Sequence, residues 1–283
     1  MTAIRHRSRL LGGLILLGLL PLGCSGVNNP ERVTDATASS FAAGLRGSVR
    51  SDDGVVQFRT RGSIDVDIAS IGGNITVIGN PDATETTVEV IRESTHGYLR
   101  GSEPYEALTL ADWNADLQPG PGPLETLTVR SSYEGPEPWY MQTHIRIETP
   151  ELGSVRVRTP RGSVEILNNT GPVDLRTDRG GILVATEHPQ RGENLLIGNE
   201  GDIDYRVPRG SSGAFDIEVV EGEIMTRVTE GQWLYVDRAN SLEVVNARLN
   251  SGTNPVVIRT TEGDIRISVV PNPLGFGPLR TGA

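Results

Sequence analysis

The residues able to do chemistry are few and scattered. Four histidines occur, His6, His96, His144 and His188, none with a metal-like neighbour three or four positions away. Acidic pairs stand at Asp52-Asp53-Gly54, Asp65/Asp67 and Asp202/Asp204. Such carboxylates are the raw material for calcium binding or for acid–base cleavage of a polysaccharide. The Gly-Gly-x-Gly-x-Asp core of calcium-loaded β-rolls is missing, however, and strand alternation puts acids on outer faces by default. No Gly-x-Ser-x-Gly, no P-loop and no cysteine pair is present. The residues therefore name no reaction and no cofactor, and the expectation is a protein that is not an enzyme.

The most specific chemistry belongs to Cys24, the only cysteine. Arg5, Arg7 and Arg9 precede an apolar run from Leu10 to Leu22, and Cys24 follows where that run ends. A basic stretch, then a short apolar one, is an export signal, too short to span a bilayer comfortably. With a cysteine at its end the leader resembles a bacterial lipoprotein signal, which implies lipid attachment at Cys24. Pro21 and Leu22 depart from that pattern and leave simple cleavage and secretion as the alternative. A lone cysteine also excludes disulfide stapling.

The 283 residues carry 26 basic groups, all arginine, against 36 acids, for a net charge of −10. Without the leader's three arginines the balance is −13, which opposes nucleic-acid binding. Apolar content of 36% with 34 glycines and 18 prolines favours many short strands around a narrow core.

The elements that would position any site announce themselves as a repeat. Four near-copies of one phrase occur: Arg59-Thr60-Arg61-Gly62-Ser63-Ile64, Arg158-Thr159-Pro160-Arg161-Gly162-Ser163-Val164, Arg176-Thr177-Asp178-Arg179-Gly180-Gly181-Ile182 and Arg259-Thr260-Thr261-Glu262-Gly263-Asp264-Ile265. Each reads as a strand end, a tight turn closed by glycine and a new strand. Alternating apolar residues flank them, as in Ile64/Val66/Ile68, Val155/Val157 and Ile265/Ile267/Val269, the mark of a strand with one buried face. Gly153, Gly162, Gly171 and Gly180 fall nine apart, and two such units make an eighteen-residue period. A nine-residue unit cannot bury its apolar face alone, so copies must stack. The expected fold is all-β, an elongated β-solenoid of strand–turn repeats; an antiparallel meander or sandwich is the alternative.

The boundaries that follow are a leader over 1–23, a flexible tether over 24–46 with a reach of roughly 25 Å, a β-repeat domain over 47–270 and a Pro/Gly-rich tail over 271–283. Within the domain, residues 97–140 break the rhythm with proline–glycine runs and six of the chain's thirteen aromatics. This reads as an irregular insertion, and Trp113, Tyr133, Trp139 and Tyr140 are its candidate ligand contacts. Long loops in repeat proteins often carry binding, although aromatics also seal a core.

The run from Ser154 to Ile182, with its spaced Arg-Thr-x-x-Gly and alternating valines, resembles the bacterial putative-adhesin family of Gly-β repeats, domains of unknown function. The likeness covers about residues 140–270 and, more faintly, 54–79. It implies a right-handed solenoid-like fold, an exported location and no cofactor, and it transfers no catalytic residue. The functional expectation is an envelope protein, anchored through Cys24 on the outer-membrane or periplasmic side or else secreted, that binds an envelope protein or a glycan or scaffolds the surface. A carbohydrate-active enzyme and an envelope-stress signalling accessory are the alternatives.

Overall fold

The computed structural model describes residues 4–5, 48–97, 100–120, 124–236 and 240–275. Cys24 and the tether lie outside them, as do most of the leader and of the tail. Among the described residues no helix is long and apolar enough to cross a membrane.

The chain is nearly all β, in two large sheets that do not close on one another. After β1 (Ile4–Arg5), strands β2 (Val49–Phe58), β3 (Ile64–Ala69), β4 (Ile75–Gly79) and β5 (Thr86–Ser94) lead to helix α1 (Glu103–Leu110). Strands β6 (Ala111–Pro119), β7 (Glu125–Tyr133), β8 (Met141–Thr149), β9 (Leu152–Arg161), β10 (Val164–Leu167), β11 (Val173–Arg179), β12 (Ile182–Ala185), β13 (Asn194–Glu200) and β14 (Ile203–Val207) follow. The chain continues with β15 (Gly213–Glu221), β16 (Ile224–Val228), β17 (Trp233–Tyr235), β18 (Val244–Leu249), β19 (Pro255–Glu262) and β20 (Ile265–Val269). The larger sheet runs β1-β6-β7-β3-β9-β11-β13-β19-β15-β18-β17, the smaller β16-β20-β14-β12-β10-β4-β8-β5-β2.

From β3 onward the chain mostly alternates between the sheets: β3 to β4, β9 to β10, β11 to β12, β13 to β14, β15 to β16, β19 to β20. Neighbouring members of this alternating set are parallel within each sheet. The expected eighteen-residue period appears as register, with Val155 beside Val173 and Val164 beside Ile182. The next step is twenty-one, pairing Leu175 with Leu196 and Ile182 with Ile203. Like residues thus form interior rows; Ile75, Val164, Ile182, Ile203, Ile265 and Ile224 make one, all buried. Each such side chain contributes roughly 1.5–3 kcal/mol of hydrophobic stabilisation.

The repeated phrase is a turn with two jobs. Thr159, Thr177 and Thr260 are buried, and each hydroxyl donates to the carbonyl two residues on, at 2.9, 3.3 and 3.4 Å. The glycine that follows adopts positive φ, +110° at Gly162, +125° at Gly180 and +127° at Gly263. Its amide then bonds to the next turn, as from Gly162 to Arg179 and from Gly180 to Glu200. One of the four copies is not part of this ladder. Thr60 and Gly62 sit in the connection from β2 to β3, whereas the turn stacked on Gly162 is Ser70-Ile71-Gly72-Gly73. There Ser70 takes threonine's place and donates to Gly72 O at 2.9 Å. Two further turns lack the hydroxyl altogether: Gly198-Asn199-Glu200-Gly201, between those of Gly180 and Gly263, and Val219-Val220-Glu221-Gly222, which stacks on Gly263.

Residues 97–140, expected as irregular, hold regular elements. The antiparallel pair β6–β7 extends the larger sheet beyond β3, at the end of the molecule where β5 and β2 extend the smaller one, and α1 and a short 3-10 turn (Pro138–Tyr140) complete the segment.

The outer face carries the charges that alternation predicts. Asp174 lies between Arg158 (2.5 Å), Arg176 (3.5 Å) and Arg156 (3.6 Å). Partial burial alone would raise its pKa, but the hydrogen bond from Arg158 and the three guanidinium charges outweigh that and hold it below 3.8. A depressed carboxylate stabilises the fold above the unfolded-state value and loses that contribution as pH falls through the folded one. We expect Asp174→Asn to flatten the acid limb of a stability–pH curve below about pH 4, measured by urea unfolding; an unchanged limb would refute the assignment.

Candidate functional site

The four aromatic candidates separate into two environments. Trp113, on β6, is 6% exposed and belongs to the main core. Its indole Nε1 donates to Asp53 Oδ2 at 2.8 Å. Asp53 also accepts from Arg92 Nε at 2.5 Å and Nη2 at 2.8 Å. Arg92 Nη1 in turn donates to the carbonyls of Leu108 (2.7 Å) and Ala111 (2.6 Å), at the end of α1. This buried knot ties β2, β5, α1 and β6 together. Tyr133, at the end of β7, is half-buried against Ala107, Leu108, Ala111 and Met141. Burial, and then the charge of Glu137, push its hydroxyl pKa upward.

Trp139 and Tyr140 occupy the surface turn before β8. Trp139 is 55% exposed, with its ring 6.1 Å from that of Tyr140. Tyr140 is half-buried, 4.7 Å from the His96 ring, and the Arg100 guanidinium lies 5.2 Å from its centroid. The backbone beneath is fixed from two sides. Arg161 donates to the carbonyls of Pro138 (2.7 Å), Trp139 and Met141 (3.4 Å). Thr95 donates to Tyr140 O through its amide (2.9 Å) and its hydroxyl (3.0 Å). Sequence reasoning passed over Arg161, Thr95 and Arg100 and set His96 aside as a metal ligand; of the first three only Arg161, inside the repeated phrase, carried a signal.

Beside this turn the fold assembles a serine, a histidine and a glutamate. Ser94 Oγ is 2.7 Å from His96 Nδ1, and His96 Nε2 is 3.6 Å from Glu137 Oε2. Nucleophilic catalysis needs a hydroxyl that substrate can reach. Ser94 is 0% exposed, at the end of β5 where it pairs with Val49 and Met141, and Glu137 is engaged by Arg100 at 2.5 Å. The cluster orders the base of the aromatic turn. His144 is likewise bound into structure: Nδ1 accepts from the Asn74 amide at 3.1 Å, which leaves Nε2 to donate to Glu93 at 3.2 Å. Among the described residues no group of three or more metal-ligating side chains is placed to hold an ion.

No protein-family model matches this sequence, and no curated protein resembles it significantly. Among solved structures, it is similar to a "putative cell adhesion protein" of Clostridium sporogenes, at TM-score 0.51 and 10% identity, covering 78% of this chain and 100% of that one. It is also matched to a "putative adhesin" of Bacteroides fragilis, at TM-score 0.29 and 10% identity over 79% and 97% of the chains. At 10% identity the first likeness is one of fold.

Proposed function

We propose that this chain is a non-enzymatic, exported binding protein of the cell envelope, adhesin-like, whose contact surface is centred on Trp139 with Tyr140 beside it. The observation that carries the reading is a large aromatic left half in solvent on a backbone turn already locked by Arg161 and Thr95. Ordering a contact residue normally opposes binding; here it is ordered beforehand. An aromatic held this way suits the apolar face of a sugar or a shallow pocket on a protein. The fold partner's name agrees with that class of function. The parallel registers and the ladder of turns support a solenoid as the scaffold, and the leader supports lipid attachment at Cys24.

Glycan-array and envelope-protein binding with Trp139→Ala tests the surface. We expect at least a tenfold loss of affinity with the unfolding free energy unchanged within about 0.5 kcal/mol, as for a surface substitution. Binding that survives the change would move the site elsewhere, and turnover of a polysaccharide abolished by one carboxylate replacement would replace this reading with an enzyme. Labelling with a radioactive fatty acid tests the anchor: label should appear in the wild type and vanish in Cys24→Ser.

A further inference from the structure

The parallel ladder of the larger sheet breaks step once. Every other parallel pair described in that sheet keeps a constant register. Between β3 and β9 the register shifts, because Ile64 faces Leu152 but Val66 faces Val155. Asp65 alone therefore opposes two residues, Gly153 and Ser154. A bulge of this kind bends the strand and re-aims its side chains, and bulges gather beside functional sites. At this one the outer face holds an open cavity of about 470 Å³, within the range of ligand-binding clefts. It runs across five strands, from Thr126 on β7 to Leu195 on β13, a span of about 19 Å.

The bulge is built around Asp65. Its Oδ1 accepts from the Ser154 amide at 2.7 Å. A Cβ on Gly153 would come within 2.6 Å of that same oxygen, so glycine is what lets the carboxylate lie across the bulge. Asp65 Oδ2 has no partner among the described residues, and neither do the hydroxyls of Thr126 and Ser154. Arg156 is equally unengaged. Its neighbours one row along, Arg130 and Arg158, each donate to two backbone carbonyls and pair with a carboxylate, which staples strands together. Arg156 makes no hydrogen bond to a described residue; its side chain is 61% exposed and its ion pair with Asp174 is long, at 3.6 Å.

The charges around the cavity decide which class of ligand it suits. Asp65, Asp67, Asp174 and Glu193 line it together with Arg156, and Arg130, Arg158 and Arg176 pair with those acids. Four of each sign cancel, in a chain whose net charge is −10. A polyanion would meet the unpaired carboxylates of Asp65 and Glu193, and a cation would meet Arg156 on the middle strand. An uncharged ligand with many hydroxyls meets neither obstacle, since a hydroxyl both donates to a carboxylate oxygen and accepts from a guanidinium. Pro172, which is exposed, and Leu195 add apolar surface for the C–H face of a ring. The groove crosses the middle of the sheet, where backbone groups are already paired, so it offers no edge to an extended peptide.

We propose that this groove binds a neutral oligosaccharide. Asp65 Oδ2 accepts from one ring hydroxyl, Arg156 donates to another, and Pro172 and Leu195 lie against a ring further along. The site goes beyond the Trp139 surface and is independent of it. Ser154 is near the start of β9, whereas Arg161, which holds the Trp139 turn, is its last residue.

The test is binding of neutral tetrasaccharides of glucose, galactose, mannose, xylose and N-acetylglucosamine to the purified protein, followed by amide chemical shifts. Tetragalacturonate is the charged control. At millimolar sugar, at least one neutral member should bind saturably and shift the Ser154 amide. Asp65→Asn keeps the acceptor for that amide and turns only Oδ2 into a donor. It and Arg156→Ala should each weaken binding at least tenfold, the loss of a hydrogen bond to a charged group, with the unfolding midpoint unchanged. Trp139→Ala should bind as the wild type does. The proposal is overturned if no neutral sugar binds, if tetragalacturonate binds as tightly, or if binding survives Arg156→Ala. A loss in Trp139→Ala alone overturns it too, and assigns the sugar to the aromatic turn.

Discussion

Replacing Gly180 with alanine is expected to lower the unfolding free energy by about 3 kcal/mol, the sum of backbone strain and a steric conflict. The residue sits at φ +125°, where an L side chain is strained. An added Cβ would also lie 2.5 Å from Gly162 O and 2.6 Å from Gly162 C, both backbone atoms that cannot rotate away. Yielding would mean parting Gly180 from the turn below, although its own amide is tied to Glu200 in the turn above. Gly54 provides the comparison: its φ is +81°, yet a Cβ there meets nothing within 4 Å. Gly54→Ala should therefore show only the conformational part, about 1 kcal/mol. Urea midpoints of the two variants decide the matter. Equal losses would mean that the stacked turns are not in contact, and the ladder would have to be abandoned.

Removing Arg92 should be more damaging still. Arg92→Met strips the partner from Asp53, whose side chain is 3% exposed, and leaves the Leu108 and Ala111 carbonyls without their donor. Breaking a buried pair from one side costs about 3–5 kcal/mol, because the surviving charge stays desolvated. Replacing both members, Asp53→Leu with Arg92→Met, should recover a large part of that loss, since nothing charged is then stranded. The double variant still leaves Trp113 Nε1 without its acceptor, so full recovery is not expected. Chemical unfolding of the single and double variants measures the difference. A double variant worse than the single one would show that the pair contributes more than mutual neutralisation.

Much of the body was legible before any coordinates. Strand positions follow from alternation, as in Ile64/Val66/Ile68, because a two-residue period can bury only one face. The eighteen-residue register between β9 and β11 follows from the spacing of Arg158-Thr159 and Arg176-Thr177. The Arg59–Ile64 phrase misled because five or six residues describe a turn and not its place in a sheet. Ser70 does threonine's work with a different residue, so the true counterpart kept the glycine, Gly73, but not the Arg-Thr that marks the phrase. Trp113 and Trp139 look alike in composition and context. One is sealed by Asp53 and Arg92, sixty and twenty-one positions away, and the other is left in water.

By itself, the order of residues determined the all-β character, the buried and solvated faces and the turn chemistry, all set by neighbours a few positions apart. Only the tertiary structure decided that β19 and β20, last in the chain, insert between β13/β14 and β15/β16. It alone decided that the larger sheet outruns the smaller at β16. Both depend on which edges find partners across 41 to 62 positions of register, and backbone hydrogen bonds at an edge are the same for every side chain.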